Sequence, residues 1–206
     1  MLKQANSKTK PKQVLLFSGH MIDSCDRPQP RFPPGMETEA QEKINAVLDR
    51  LEANPQDLAI APGIACGGDI LFIEACLQRQ IKTEAYLPFE PDKFIAESVS
   101  FAGDSWVERF NQIKNHPLVK IHLQPEESEL LPVGENPYER NNLWAFNSSL
   151  TYGSDRVRFI VLWNGKGGDG KGGTFDMVER VRQLGGCVEH LNTTEFDYWH
   201  RLGKVQ

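Results

Sequence analysis

Cysteine is sparse and scattered in this sequence. Cys25, Cys66, Cys76 and Cys187 are the four among 206 residues, and none stands in a CxxC pair or at ligand spacing from a histidine. Zinc sites and redox motifs need such spacing, so the thiols are read as reduced and no metal or other cofactor is assigned. His116, His122, His190 and His200 are equally dispersed and are read as structural or solvent-facing. Also missing is any run approaching the roughly 18 consecutive apolar residues of a membrane span. The opening "MLKQANSKTKPKQ" carries lysines but no apolar centre of a secretory signal. These absences lead us to expect a soluble, cytoplasmic protein without a membrane partner, with residues 1–12 as a disordered tail. Basic excess is lacking too. Lys and Arg number 23 against 28 Asp and Glu, a formal charge of −5, and a broad grip on nucleic-acid phosphates needs the opposite balance. A small ligand is the better expectation. No internal repeat is found.

What is present is a hydrophobic content of 39%, enough at this length for one domain, residues 13–206, with a sizeable core. Short aliphatic runs alternate with segments of helical period. The runs are Val14–Phe17, Leu58–Ala61, Thr83–Pro88, Val119–Leu123, Val157–Trp163 and Cys187–Leu191. Between them, Ala40, Ile44, Val47, Leu48 and Leu51 form an amphipathic stripe, as do Trp106, Phe110 and Ile113, then Leu143, Phe146 and Leu150, and finally Met177, Val181 and Leu184. Another helix carries Ile70, Ile73 and Leu77, and the proline-rich, acidic stretch Pro125–Pro137 is read as a loop. The alternation implies βαβ units and an α/β, three-layer, Rossmann-like fold with a mainly parallel sheet of about six strands. Ligands of such sheets lie outside the carboxyl ends of the strands.

Three loops at those ends are unusual. After the first strand comes "SGHMIDSCDRPQPRFPPG", in which Ser18 and Gly19 allow a tight turn and His20, Asp23, Asp26, Arg27 and Arg31 supply polar groups. A solvated turn-rich loop is the plain alternative there. After the second strand, Gly67 and Gly68 precede a helix and so could bring backbone N–H groups to an anion. Asp69 reads either as the N-cap of that helix or as an acceptor for a ribose hydroxyl, and Glu74 as solvent-facing or cleft-facing. After the fifth strand stands "NGKGGDGKGGT". Gly165, Gly170 and Lys171 match GxxxxGK, but Gly172 stands where a P-loop needs Ser or Thr for magnesium. The better reading is a phosphate cradle of Gly172, Gly173 and Thr174 at a helix start. A flexible linker explains the length poorly, since such connections usually need only a few residues.

"SGH" after the first strand, "GIACGGDILFIEA" after the second, "LPF" after the third and "GGT" at a late helix start resemble, in that order, the SLOG superfamily of Rossmann-like nucleotide-binding domains. That superfamily includes the LOG-type phosphoribohydrolases and the DNA-processing protein DprA. The resemblance covers most of residues 13–191. It implies a nucleotide-like ligand. The LOG-type motif PGGxGTxxE is met by Gly170, Gly173 and Thr174, whereas Asp169, Lys171 and Met177 replace its proline, second glycine and glutamate. With the catalytic carboxylate absent from its place, the resemblance favours binding or sensing over hydrolysis. The family's catalytic arginine has only Arg109 and Arg140 as candidates.

The leading expectation is thus a nucleotide-binding or sensing domain, with Gly67, Gly68, Gly172, Gly173 and Thr174 on phosphate and Ser18, Gly19, His20 and Asp69 near ribose or base. The alternative is an N-glycosidase-like hydrolase using Glu74, Asp69 or Asp176 as the carboxylate that stabilises an oxocarbenium-like sugar. A third reading takes "NPYERNNLWAF" as an interaction surface, with self-association as its simplest consequence; Trp144 and Phe146 packing in the core is the competing explanation.

Overall fold

A computed structural model describes residues 10–124, 136–167 and 173–203. Its sheet has six parallel strands: β1 (Val14–Gly19), β2 (Leu58–Ala61), β3 (Lys82–Leu87), β4 (Val119–Leu123), β5 (Val157–Trp163) and β6 (Cys187–Asn192). Their spatial order is β4-β3-β2-β1-β5-β6, and every pairing is parallel. The helices are α1 (Glu37–Arg50), α2 (Gly68–Gln78), α3 (Pro91–Ser98), α4 (Asp104–Lys114), α5 (Pro137–Leu150), α6 (Thr174–Gln183) and α7 (Asp197–Arg201).

Two apolar layers explain this order. Along β1, Leu15 and Phe17 belong to the core shared with α1, α2 and α4, while Val14 and Leu16 belong to the core shared with α5 and α6. A strand so covered on both faces reads as a continuous aliphatic run, which is why "VLLF" shows no alternation. Helix α2 is apolar all round, with Ile70, Leu71, Phe72 and Ile73 all buried, as suits a helix enclosed between the sheet, α1 and α4. The chain runs outward from β1 to β4 with its helices on one face. Helix α5 then returns across the other face to β5, beside β1. The reversal point lies between β1 and β5, which pair directly.

The expected three-layer Rossmann-like fold is therefore the architecture observed. Differences are local. The first strand extends two residues further, the third starts at Lys82 and ends at Leu87, and the sixth includes Asn192. Pro137 opens α5 as its first residue, preceded by Asn136, whose side chain accepts the Tyr138 N–H; the rest of the expected loop, residues 125–135, lies outside the described residues. Two short helices carry no long stripe to announce them: α3, with only Phe94 and Ser98 buried, and α7, anchored by Trp199. Residues 1–9 of the expected tail lie outside the described residues, while Lys12 donates its N–H to the Gln56 carbonyl at 3.0 Å and the Pro11 carbonyl accepts from Arg156 at 2.8 Å. Phe146 is buried and Trp144 packs edge-on against Tyr86, so these two aromatics of "NPYERNNLWAF" pack with the core. No helix among the described residues is long and apolar enough to cross a membrane.

Candidate functional site

At the carboxyl end of β1, Ser18 meets Thr174 at the start of α6, Oγ to Oγ1 at 3.1 Å across 156 positions of sequence. The contact follows from topology. β1 and β5 are neighbours at the reversal point, and α6 leaves β5 on the face to which Ser18 points. Gly19 must be glycine for packing, since a Cβ there would lie 2.7 Å from the Phe17 ring and 3.2 Å from Leu162. His20 continues the pairing by donating its N–H to the Leu162 carbonyl at 2.9 Å.

The His20 ring is itself fixed. Its Nε2 accepts the Asn164 N–H at 3.2 Å, which leaves the proton of the neutral ring on Nδ1. Burial, and then the positive charge of Arg31, push its pKa down to about 3, so the ring is neutral across the physiological range.

Gly173 caps α6 with no side-chain hydrogen bond, and the first intrahelical bond runs from the Met177 N–H to the Gly173 carbonyl at 3.0 Å. The N–H groups of Thr174, Phe175 and Asp176 therefore have no acceptor within the helix, and the helix dipole adds positive potential there. A phosphate-type anion suits that end.

Asp69 lies on the first turn of α2. The structure gives the N-cap to Gly67, and Asp69 Oδ2 instead reaches back to accept the Ala65 N–H at 3.2 Å. Only 8% of Asp69 is exposed, and burial pushes its carboxyl up to about 7. Near neutral pH it divides between a hydrogen-bond donor and an acceptor.

Ser18, Gly19, His20, Asp69, Gly173 and Thr174 line one cavity of about 630 Å³ at the reversal point, within the size range of small-molecule sites. The lining also includes residues that the sequence reading did not assign to the site: Arg31 from the long first loop, Phe94 and Glu97 from α3, and Tyr138 from α5. The Tyr138 hydroxyl donates to Glu97 at 2.9 Å and lies 3.0 Å from Ser98 Oγ. Burial pushes Tyr138 up to about 12, so it stays protonated. Arg31 was legible only as a charge in a polar loop, and Glu97 sits on a helix of 8 residues, too short to show a long stripe. One cavity thus brings hydroxyls, the start of α6 and the Arg31 cation together with the carboxyl groups of Asp69 and Glu97.

Several expected site residues lie elsewhere. The Gly68 N–H is already given to the His20 carbonyl at 3.0 Å, and Gly67 pairs with Met21 in an antiparallel bridge at φ +108°. A Cβ on Gly67 would fall 2.6 Å from the Ile22 nitrogen. These two glycines let backbones approach one another and do not line the cleft, which corrects their reading as a phosphate cradle. Glu74 faces the helix layer. Both its oxygens take Arg109, at 2.8 and 2.6 Å, while the same guanidinium reaches Glu37 at 2.7 Å and stacks on Trp106. That network fills the valences of Glu74 away from the cavity, and Arg109 with it. Asp176 bonds Arg180 on its own helix at 2.8 Å and is not a lining residue. Arg140 donates to Gln124 at 2.7 Å. Gly172, with Asp169, Gly170 and Lys171, lies outside the described residues. Met177, standing where the LOG-type motif has its glutamate, is buried in the core under α6.

Among the described residues, no group of three or more His, Cys, Asp and Glu side chains converges as metal ligands would. Comparison of the chain with protein-family models, with curated proteins and with solved structures gave no match.

Proposed function

We propose that this protein binds or senses a nucleotide or a nucleotide-derived small molecule in the cleft at the carboxyl end of β1, beside the start of α6. The observation that carries the reading is the meeting of Ser18 and Thr174 at the cap-free start of α6, at the reversal point of the sheet. The hydroxyls and the positive end of the α6 dipole there favour phosphate oxygens. Asp69 and Glu97, which line the same cavity, favour hydroxyl or amino donors such as a ribose or a base carries. The resemblance of the "SGH", "GGD" and "GGT" stretches to SLOG domains supports the same ligand class.

A hydrolase reading keeps one specific support. Of the three carboxylates named for it, Asp69 lines the cleft, and its raised pKa suits a group that delivers or accepts a proton near neutrality. A core methionine at position 177 weighs the other way.

Filtration of the purified protein with a mixed pool of nucleoside phosphates, followed by mass spectrometry of both fractions, separates these ideas. An intact nucleotide retained with the protein is the expected result. Protein-dependent free base and ribose phosphate in the filtrate would establish cleavage. A pool left unchanged and unretained would refute both.

A further inference from the structure

The loop between β1 and α1 delivers a cation to the cleft, and one carboxylate ties that loop shut. Asp23 stands at its start and is 8% exposed. Its Oδ2 accepts the N–H groups of Arg31 and Phe32, both at 2.7 Å, and its Oδ1 lies 3.2 Å from Arg27 Nε. Its own N–H donates to the Phe32 carbonyl at 2.9 Å. These bonds close Asp23 to Phe32 into a ring, and both ends of the ring are anchored. Met21 forms the bridge to Gly67, and the Ile22 N–H donates to the Cys66 carbonyl at 3.0 Å. At the other end, Phe32 is wholly buried in the core with Met36. Arg31 is held between a pinned carboxylate and a core phenylalanine. It lines the same cavity as Ser18, Gly173 and Thr174.

We infer that Arg31 is the cationic ligand-binding residue of this cleft and that Asp23 positions it, so that the ligand's phosphate is held between the Arg31 guanidinium and the N-terminus of α6. The inference rests on the nucleotide reading of the cleft. A guanidinium fork and helix N–H groups are complementary donors for a tetrahedral anion, the first supplying charge and the second direction. Fixing the backbone N–H of Arg31 removes the loop freedom that binding would otherwise have to freeze. A purely structural clasp would behave differently. Its loss would weaken binding independently of Arg31, so the two substitutions would add.

The test compares the wild type with Arg31→Gln, Arg31→Lys, Asp23→Asn and the Arg31→Gln/Asp23→Asn double variant, measuring retention of a mixed pool of nucleoside mono- and diphosphates and, separately, of labelled inorganic phosphate. Arg31→Gln is expected to lower retention by about tenfold or more, with Arg31→Lys recovering part of it. Asp23→Asn should lower it comparably, and the double variant should be no worse than Arg31→Gln alone. Unchanged retention in Arg31→Gln, with the wild type binding, overturns the assignment of Arg31 and leaves the nucleotide cleft standing. Additive losses overturn the positioning role of Asp23. A wild type that retains none of the probes overturns both. Should Asp23→Asn fail to fold, Asp23→Glu, which keeps the charge and displaces it by one methylene, decides the second point on the same criterion.

Discussion

Asp69→Asn isolates the buried carboxyl of the cleft. The folded protein shifts this group from an ordinary 3.8 to about 7 by removing it from water. At roughly 1.4 kcal/mol per unit, the full shift corresponds to about 4 kcal/mol. The sign follows from proton counting. Between the two values the folded state holds a proton that the unfolded state has lost, so this contribution is fully present below the unfolded pKa and disappears as pH rises through about 7. Between pH 5 and pH 8 the loss amounts to about 2.5 kcal/mol. Asparagine keeps an oxygen for the Ala65 N–H and does not titrate. His20 acts in the opposite sense, its lowered pKa removing stability as pH falls below about 6.5, so the wild-type curve alone mixes the two. The difference between wild type and Asp69→Asn cancels His20. Urea unfolding of both proteins at several pH values should show the wild type losing about 2.5 kcal/mol relative to the variant from pH 5 to pH 8. Parallel curves would refute the reasoning.

Other substitutions test the remaining parts of the site. Gly173 has φ −68° and ψ 170°, extended backbone open to any residue. Gly173→Val should therefore lower stability by only about 1 kcal/mol while its side chain fills the phosphate end, abolishing nucleotide retention in the filtration assay. Thr174→Val removes one hydroxyl of the Ser18 pair and should weaken retention by about tenfold, with urea stability changed by about 1 kcal/mol or less. Glu74→Gln removes the charge and one of the two acceptors that hold Arg109 and should lower urea stability by about 1–3 kcal/mol with retention unaltered, the reverse of the pattern expected if Glu74 were catalytic.

How far this arrangement was legible in the sequence depended on the kind of signal. "VLLF" and "VRFIVLW" are aliphatic runs too short for helices and too apolar for exposed strands, so buried parallel strands were the natural reading, and the loops after them pointed to the site. Ser18, His20 and Thr174, which line the cavity, stand in or beside those loops. Gly67 and Gly68 were misread because glycine before a helix signals close backbone approach without saying what approaches; here it is the Met21–Ile22 backbone of the first loop. Glu74 was misread because its partners, Arg109 and Glu37, are 35 and 37 positions away along the chain, and only packing of α1, α2 and α4 brings them together. The parts of the cavity lining contributed by α3 and Arg31 were invisible for a related reason. Helix α3 buries little, and Arg31 enters the cleft through the Asp23 ring, a set of contacts to backbone N–H groups that leaves no pattern in residue type.

A structure of the protein bound to whichever nucleotide it retains tests the central claim most directly. The account predicts the phosphate at the start of α6, within hydrogen-bond distance of Thr174 Oγ1 and facing Arg31, with the ribose or base toward Asp69. A nucleotide seated away from the β1–β5 reversal point, for instance among Lys12, Lys82 and Lys120 in the groove at the opposite edge of the sheet, would contradict it.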